Sequence, residues 1–256
     1  MPVRKVSPCG KMRKALFVGD SHIHAIQEAL KSRTDVPPEL DIEALRLGSL
    51  ENTKVAVDIT IDGAIEKAKL LSAGDVFVAV LRGNQFNSVG MIQHPRPFDV
   101  LMPEETGEHM LLGAEIIPLQ ALKNFFFESL VNGYGRNLLQ FRRNCAARMA
   151  CLTPPAPKED AEHIKRGAET YFRELGINEI GVTPAPLRLK LWTLQQQALE
   201  SFCRDNDIIY FDNPPETRDQ AGFLKREYYA GDATHGNKKY GSRVLWQIAS
   251  YMGTRI

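Results

Sequence analysis

The two ends of this 256-residue chain each carry a group suited to nucleophilic chemistry. Near the front, the apolar run Ala15, Leu16, Phe17, Val18 leads into Gly19, Asp20, Ser21 and His22, and a helical pattern follows. That order predicts a buried strand, a tight turn and a helix. A serine at such a turn lies near the first amides of the helix, which point outward and carry partial positive charge. Its hydroxyl can attack a carbonyl while nearby amides hold the negative charge that develops. The same residues also fit a plain turn with a helix cap, so the assignment depends on what else converges there.

A serine hydroxyl needs a base, and histidine is the side chain poised near neutral pH. His235 lies in the run Gly231, Asp232, Ala233, Thr234, His235, Gly236, Asn237, just before the last helical pattern. Asp232, three residues earlier on the same turn, can orient the imidazole through its other nitrogen. Alternatively, Asp232 or Asn237 caps the helix and His235 is a surface residue. Two further residues suit an oxyanion hole. Gly48 exposes an amide with no side chain in the way, and the Asn84 side chain is a neutral double donor. Loss of one such donor typically costs about 2.7–4 kcal/mol of transition-state stabilisation. Read singly, Gly48 is a strand-ending glycine and Asn84 a turn residue. His22 is expected to line the pocket edge and His24 to be structural or exposed, since positions two apart on a helix face different directions. Arg82 either attracts an anionic substrate group or pairs with a carboxylate. His94 and His109 lie in irregular sequence. No metal or cofactor is expected.

The elements that must position these groups alternate. Strands are predicted at about 14–19, 41–47, 75–81, 148–153 and 208–211. Helices are predicted at about 22–32, 62–72, 118–132, 137–147, 158–175, 189–205 and 237–252. The run 76–81 is apolar on both faces, as a central parallel strand requires. The expectation is an α/β fold of three layers, α/β/α, around a five-stranded parallel sheet of flavodoxin-like order 2-1-3-4-5. In that order strands two and three flank strand one. Ser21, Gly48 and Asn84, each following one of those strands, therefore meet at one rim, where the strand order reverses. Strand five lies three spacings away, roughly 14 Å. The segment 213–236 reaches roughly 80 Å when extended, so His235 can join them. Residues 1–13 read as a flexible N-terminal arm. Residues 14–256 read as a single domain, with an irregular lid-like insertion at about 88–115 that either covers the site or is a passive surface segment.

Composition narrows the partners. The apolar share is 43%, the charged share 25% and the formal net charge +1. Bulk charge gives no reason to expect nucleic acid or an anionic membrane, and no apolar run approaches a membrane span. The basic residues before Ala15 precede too short an apolar run for a secretory leader. Cys9, Cys145, Cys151 and Cys203 show no zinc spacing. A cytoplasmic location is expected, and the sequence is silent on oligomeric state.

With these blocks placed, the chain resembles the SGNH hydrolase superfamily, the GDSL-type esterases and lipases. The resemblance rests on Gly19-Asp20-Ser21-His22 near the front, on Arg82-Gly83-Asn84, where glycine and asparagine are adjacent rather than spaced, and on Asp232-Ala233-Thr234-His235 near the end. Gly48 is assigned by position alone. The Gly-x-Ser-x-Gly elbow of α/β-hydrolases is absent, because Ile23 occupies the last glycine's place. The resemblance implies a serine esterase, and because no broad apolar groove for long lipid tails can be read from the sequence, the expected substrate is a small acyl ester, with O-acetyl groups on carbohydrate as one class. It implies Ser21, His235 and Asp232 as the triad, and the Ser21 amide, Gly48 and Asn84 as oxyanion donors. The same residues also serve an acyltransferase. A catalytically inactive binding protein on this fold is the third expectation, opposed by the lack of a nucleotide-binding fingerprint after any strand.

Overall fold

A computed structural model describes residues 12–33, 35–49, 56–81, 85–103 and 110–253. In chain order the elements are β1 (Arg13–Gly19), α1 (Ile23–Ser32), β2 (Leu40–Arg46), α2 (Ile61–Lys69), β3 (Val76–Val80), α3 (Gln85–Gly90), β4 (Phe98–Asp99), β5 (Glu115–Ile116), α4 (Leu119–Asn132) and α5 (Gly135–Asn144). Then come β6 (Arg148–Leu152), α6 (Ala161–Arg166), α7 (Thr170–Glu174), α8 (Ile177–Ile180), α9 (Ala185–Asp205), β7 (Ile209–Phe211) and α10 (Lys238–Tyr251). The main sheet has the order β2-β1-β3-β6-β7 and every pairing in it is parallel. Renumbered within the sheet, this is the expected 2-1-3-4-5.

Alternation along the central strands explains the layers. Ala15 and Phe17 of β1, with Val76, Val78 and Val80 of β3, belong to one core cluster, shared with Ile23 and Ile26 of α1 and Val244, Leu245 and Ile248 of α10. Leu16, Val18, Phe77 and Ala79 belong to the other, with Ala64 and Ala68 of α2 and Leu138 and Phe141 of α5. Successive side chains on a strand point to opposite faces, so both faces of an all-apolar strand need a helical cover.

The register brings the strand ends level. Gly19 pairs with Arg46 on one side and with Val80 on the other. Ser21 and Gly48 therefore leave the sheet at the same rim. No helix among the described residues is long and apolar enough to cross a membrane. Cys145, Cys151 and Cys203 are free and buried, and Cys9 lies outside the described residues.

Three expectations change. The predicted helix over 158–175 is two short ones, α6 and α7, with α8 just beyond them, and the first break is at Gly167. A Cβ there would lie 2.3 Å from the Gly231 carbonyl oxygen, so another part of the chain presses on this backbone too closely for a continuing helix. The segment 88–115 is not irregular throughout. Phe98–Asp99 pairs with Glu115–Ile116, Val100 and Met102 are buried, and buried Asp99 meets the Lys190 ammonium of α9 at 3.0 Å. Arg13 belongs to β1 rather than to an arm, and residues 1–11 lie outside the described residues. Other boundaries fall within a few residues of expectation.

α1 and α10 pack in direct contact. The contact is closest at Gly241, where a Cβ would lie 2.0 Å from the Ala25 carbonyl oxygen. Neither backbone can give way cheaply, so Gly241→Ala is expected to cost about 1–3 kcal/mol. Gly74→Ala, with open space at its Cβ, is expected to stay within about 0.5 kcal/mol. Denaturant unfolding of both variants checks the contrast.

Candidate active site

The turn 230–236 closes on itself before α10. The Ala230 amide donates to the His235 carbonyl at 3.0 Å, and the Asn237 amide to the Tyr228 carbonyl at 2.8 Å. Asn237 caps α10, its side-chain oxygen accepting from the Lys239 and Tyr240 amides. Asp232 is thus left free of capping and bonds within the turn. Its Oδ1 accepts the Thr234 amide at 3.0 Å and the His235 amide at 2.8 Å, while Oδ2 meets His235 Nδ1 at 2.9 Å. With Nδ1 carrying the proton, Nε2 is the basic nitrogen. That Nε2 atom is buried and has no hydrogen-bond partner among the described residues.

The imidazole lies at the Ser21 rim. The His235 and His22 rings are 4.6 Å apart, tilted by 51°, and His22 is the immediate neighbour of Ser21 in the turn before α1. Neither the Ser21 hydroxyl nor its amide donates a hydrogen bond among the described residues, so serine and imidazole are not bonded to each other. Such bonds are often long before substrate arrives. The structure therefore brings His22, Asp232 and His235 together, with Ser21 next to His22 in the chain, and His24 is exposed.

Gly48 departs from expectation. It reaches the rim, but its amide donates to the Ile59 carbonyl at 3.1 Å. That N–H is spent beside the bridge between Leu47 and Ile59 and is not left over for an oxyanion. Position alone pointed to Gly48, and the pairing partner 11 residues on was invisible locally. Asn84 and Arg82 lie outside the described residues, as does His109. His94 closes a local turn with Arg96. Beside Asp20 and Gly48 opens a cavity of about 550 Å³, with Thr60, Asp62, Tyr134 and Asn137 in its wall.

Two groups near the imidazole were missed from sequence. Glu169, at the start of α7, accepts the Thr234 hydroxyl at 2.9 Å, and its Oε1 lies 3.9 Å from His235 Nδ1. Lys158 lies beneath the turn with its side chain only 1% exposed and its ammonium 3.7 Å from Asp232 Oδ1. Among the described residues, Glu169, Asp232 and His235 form the one group whose donor atoms are close enough to share a metal ion. His235 Nδ1 is already bonded to Asp232, and the Lys158 ammonium opposes a second cation, so these donors suit proton handling better than metal binding.

Burial alone would disfavour the Asp232 carboxylate. The hydrogen bond and charge of His235, the His235 amide and the Lys158 ammonium outweigh it and hold the carboxyl well below the usual carboxylate range.

No family model matches the chain, and no curated protein matches it in sequence. Among solved structures, the fold is similar to a putative arylesterase from Agrobacterium tumefaciens str. C58, at 9% identity and TM-score 0.46 over 96% of this chain and 100% of that one. It is also similar to a carbohydrate acetylesterase family member from Sinorhizobium meliloti, at 11% identity and TM-score 0.47 over 94% and 100%. An inhibitor-bound aryl esterase from M. smegmatis is similar at 9% identity and TM-score 0.47, over 95% and 100%. Identities this low leave the chemistry to be argued from the chain's own residues.

A carboxyl whose folded pKa is lowered stabilises the protein above its unfolded pKa, and the contribution fades as pH falls through the folded value. Asp232→Asn is therefore expected to lower unfolding free energy at neutral pH and to lose that deficit in acid. Urea unfolding of both proteins from about pH 7 down to about pH 2 should show the deficit begin to narrow below about pH 4 and go on shrinking toward the acid end.

Proposed function

We propose that this chain is a serine ester hydrolase of the SGNH type, acting on small acyl esters. The observation that carries the reading is the His235 imidazole. It is bonded to Asp232 through one nitrogen, it has its other nitrogen buried and unengaged, and it lies against the neighbour of Ser21.

In this mechanism His235 Nε2 takes the Ser21 proton as Oγ attacks the acyl carbonyl. Asp232 keeps the imidazole in the tautomer that leaves Nε2 basic and stabilises the imidazolium that forms. The oxyanion is held by the Ser21 amide, which is otherwise unengaged, and by the Asn84 side chain in the role its sequence block implies. His235 then returns its proton to the departing alcohol oxygen, leaving an acyl-serine. Water, deprotonated by His235, attacks that ester, and Ser21 leaves with the proton restored. Gly48 has no part in this scheme. The cavity beside Asp20 sets Asp62, Thr60 and Asn137 among apolar Leu47, Ile61 and Leu81, and a small acyl ester that carries hydroxyls, such as an O-acetylated sugar, is the substrate class this reading favours. Free buried thiols fit a reducing compartment, and a cytoplasmic setting goes with this reading.

Turnover of p-nitrophenyl acetate should fall by roughly three orders of magnitude or more in Ser21→Ala. A fluorophosphonate should label wild-type protein at Ser21, as read by peptide mass spectrometry. Equal turnover by wild type and Ser21→Ala would reject the assignment.

A further inference from the structure

The sequence around Lys158 reads as the polar start of a helix, yet this ammonium is among the most buried charges in the protein. It donates to the Ala230 carbonyl at 2.9 Å and to the Asp232 carbonyl. His163 Nε2 lies 3.0 and 3.2 Å from the same two carbonyls, placing its N–H as a second donor to them. Arg188, also buried, fixes the backbone from which Lys158 extends, donating to the Lys158, Glu159 and Thr183 carbonyls. A chain of donors thus runs from α9, through residues 158–159, to the turn that carries Asp232 and His235.

We propose that Lys158 is a positioning residue for the Asp232–His235 pair. Its buried ammonium clamps the 230–232 turn through the Ala230 and Asp232 carbonyls and holds Asp232 with Oδ2 free for the imidazole. The role rests on the Ser21–His235–Asp232 reading above.

An uncharged side chain of the same length would fill this space without the cost of burying an ammonium. It would leave the Ala230 and Asp232 carbonyls to His163 alone. It would also remove the positive charge that faces Asp232 Oδ1 at 3.7 Å, loosening the turn that presents the carboxylate to the imidazole. The charged and titratable groups facing this centre are Asp232, Glu169, His163, His235 and, across the imidazole, His22. The Tyr229 ring lies 5.1 Å from the ammonium and contributes its face. Burial pushes Lys158 down to about 8, with Asp232 and Glu169 pulling the other way. A lysine with a lowered pKa is charged below that value and neutral above it. The clamp is therefore set at neutral pH and released on the alkaline side.

The test uses full-length protein and follows fluorophosphonate labelling of Ser21 across pH, with p-nitrophenyl acetate kinetics near neutrality. Wild-type labelling should decline above about pH 8. Lys158→Met should lower kcat by about tenfold or more with KM nearly unchanged, and should lack the alkaline decline. His163→Leu, which removes the second donor and keeps the Lys158 charge, should retain the decline. Nitrogen NMR of the Lys158 ammonium in wild type needs no variant to fold, and its titration should share the midpoint of the alkaline decline. A Lys158→Met profile superimposable on wild type, or a lysine midpoint apart from the decline, overturns the role of Lys158 alone. No labelling of Ser21 at any pH overturns the underlying serine-hydrolase reading, and the role falls with it.

Discussion

The crossing of α1 and α10 is the constraint on which the site depends. Ala25 is in the first turn of α1 and Gly241 in the first turn of α10, so the helices touch where each begins. The residues just before those helices, His22 and His235, meet ring to ring. In most helix pairs side chains hold the axes 8–10 Å apart. Here a missing side chain lets the backbones approach, and the two preceding turns close on one another as a result. The approach of the His22 and His235 rings is thus tied to a glycine that belongs to neither turn.

The sheet supplies half of the rim and a buttress outside the sheet supplies the rest. β1, β2 and β3 end level because their register is tight, and Ser21 inherits its position from that alignment. The 230–236 turn has no strand to hold it. Its carbonyls point toward α6 and the residues before it, and Gly167 lets that backbone approach within van der Waals contact of Gly231 and Asp232. Buried carbonyls need donors, and Lys158 and His163 provide them. Asp232 divides its oxygens between backbone amides and the imidazole, so the carboxylate is fixed in position as well as in charge.

The layers and the place of Ser21 at the rim were legible in the sequence because they follow from periodicity and sheet order. Val76 to Val80 could only be a central strand, and the switch point follows once its neighbours are counted. The pairing of Asp232 with His235 was legible because it spans three residues. What could not be read depends on contacts between distant segments. Lys158 finds its carbonyls 72 and 74 residues away, and nothing near it marks it as buried. Glu169 reaches Thr234 over 65 residues. The break at Gly167 appears only when the turn pressing on it is known. Gly48 failed for the same reason on a smaller scale, since its amide was claimed by Ile59 across a short connection that offers no local pattern.

The tie between Arg13 and Met252 joins the first strand to the last helix across 239 residues. With Gly241 on Ala25, it makes α10 the cover for a face of β1 and α1 that is made roughly 200 residues earlier. Until that helix emerges, the apolar face waits uncovered. Contacts so remote in sequence slow folding and leave sticky surface exposed to other chains. Such a chain should lean on chaperones while it is being made, and a ribosome stalled before residue 238 would hold a product that is inert and prone to aggregate.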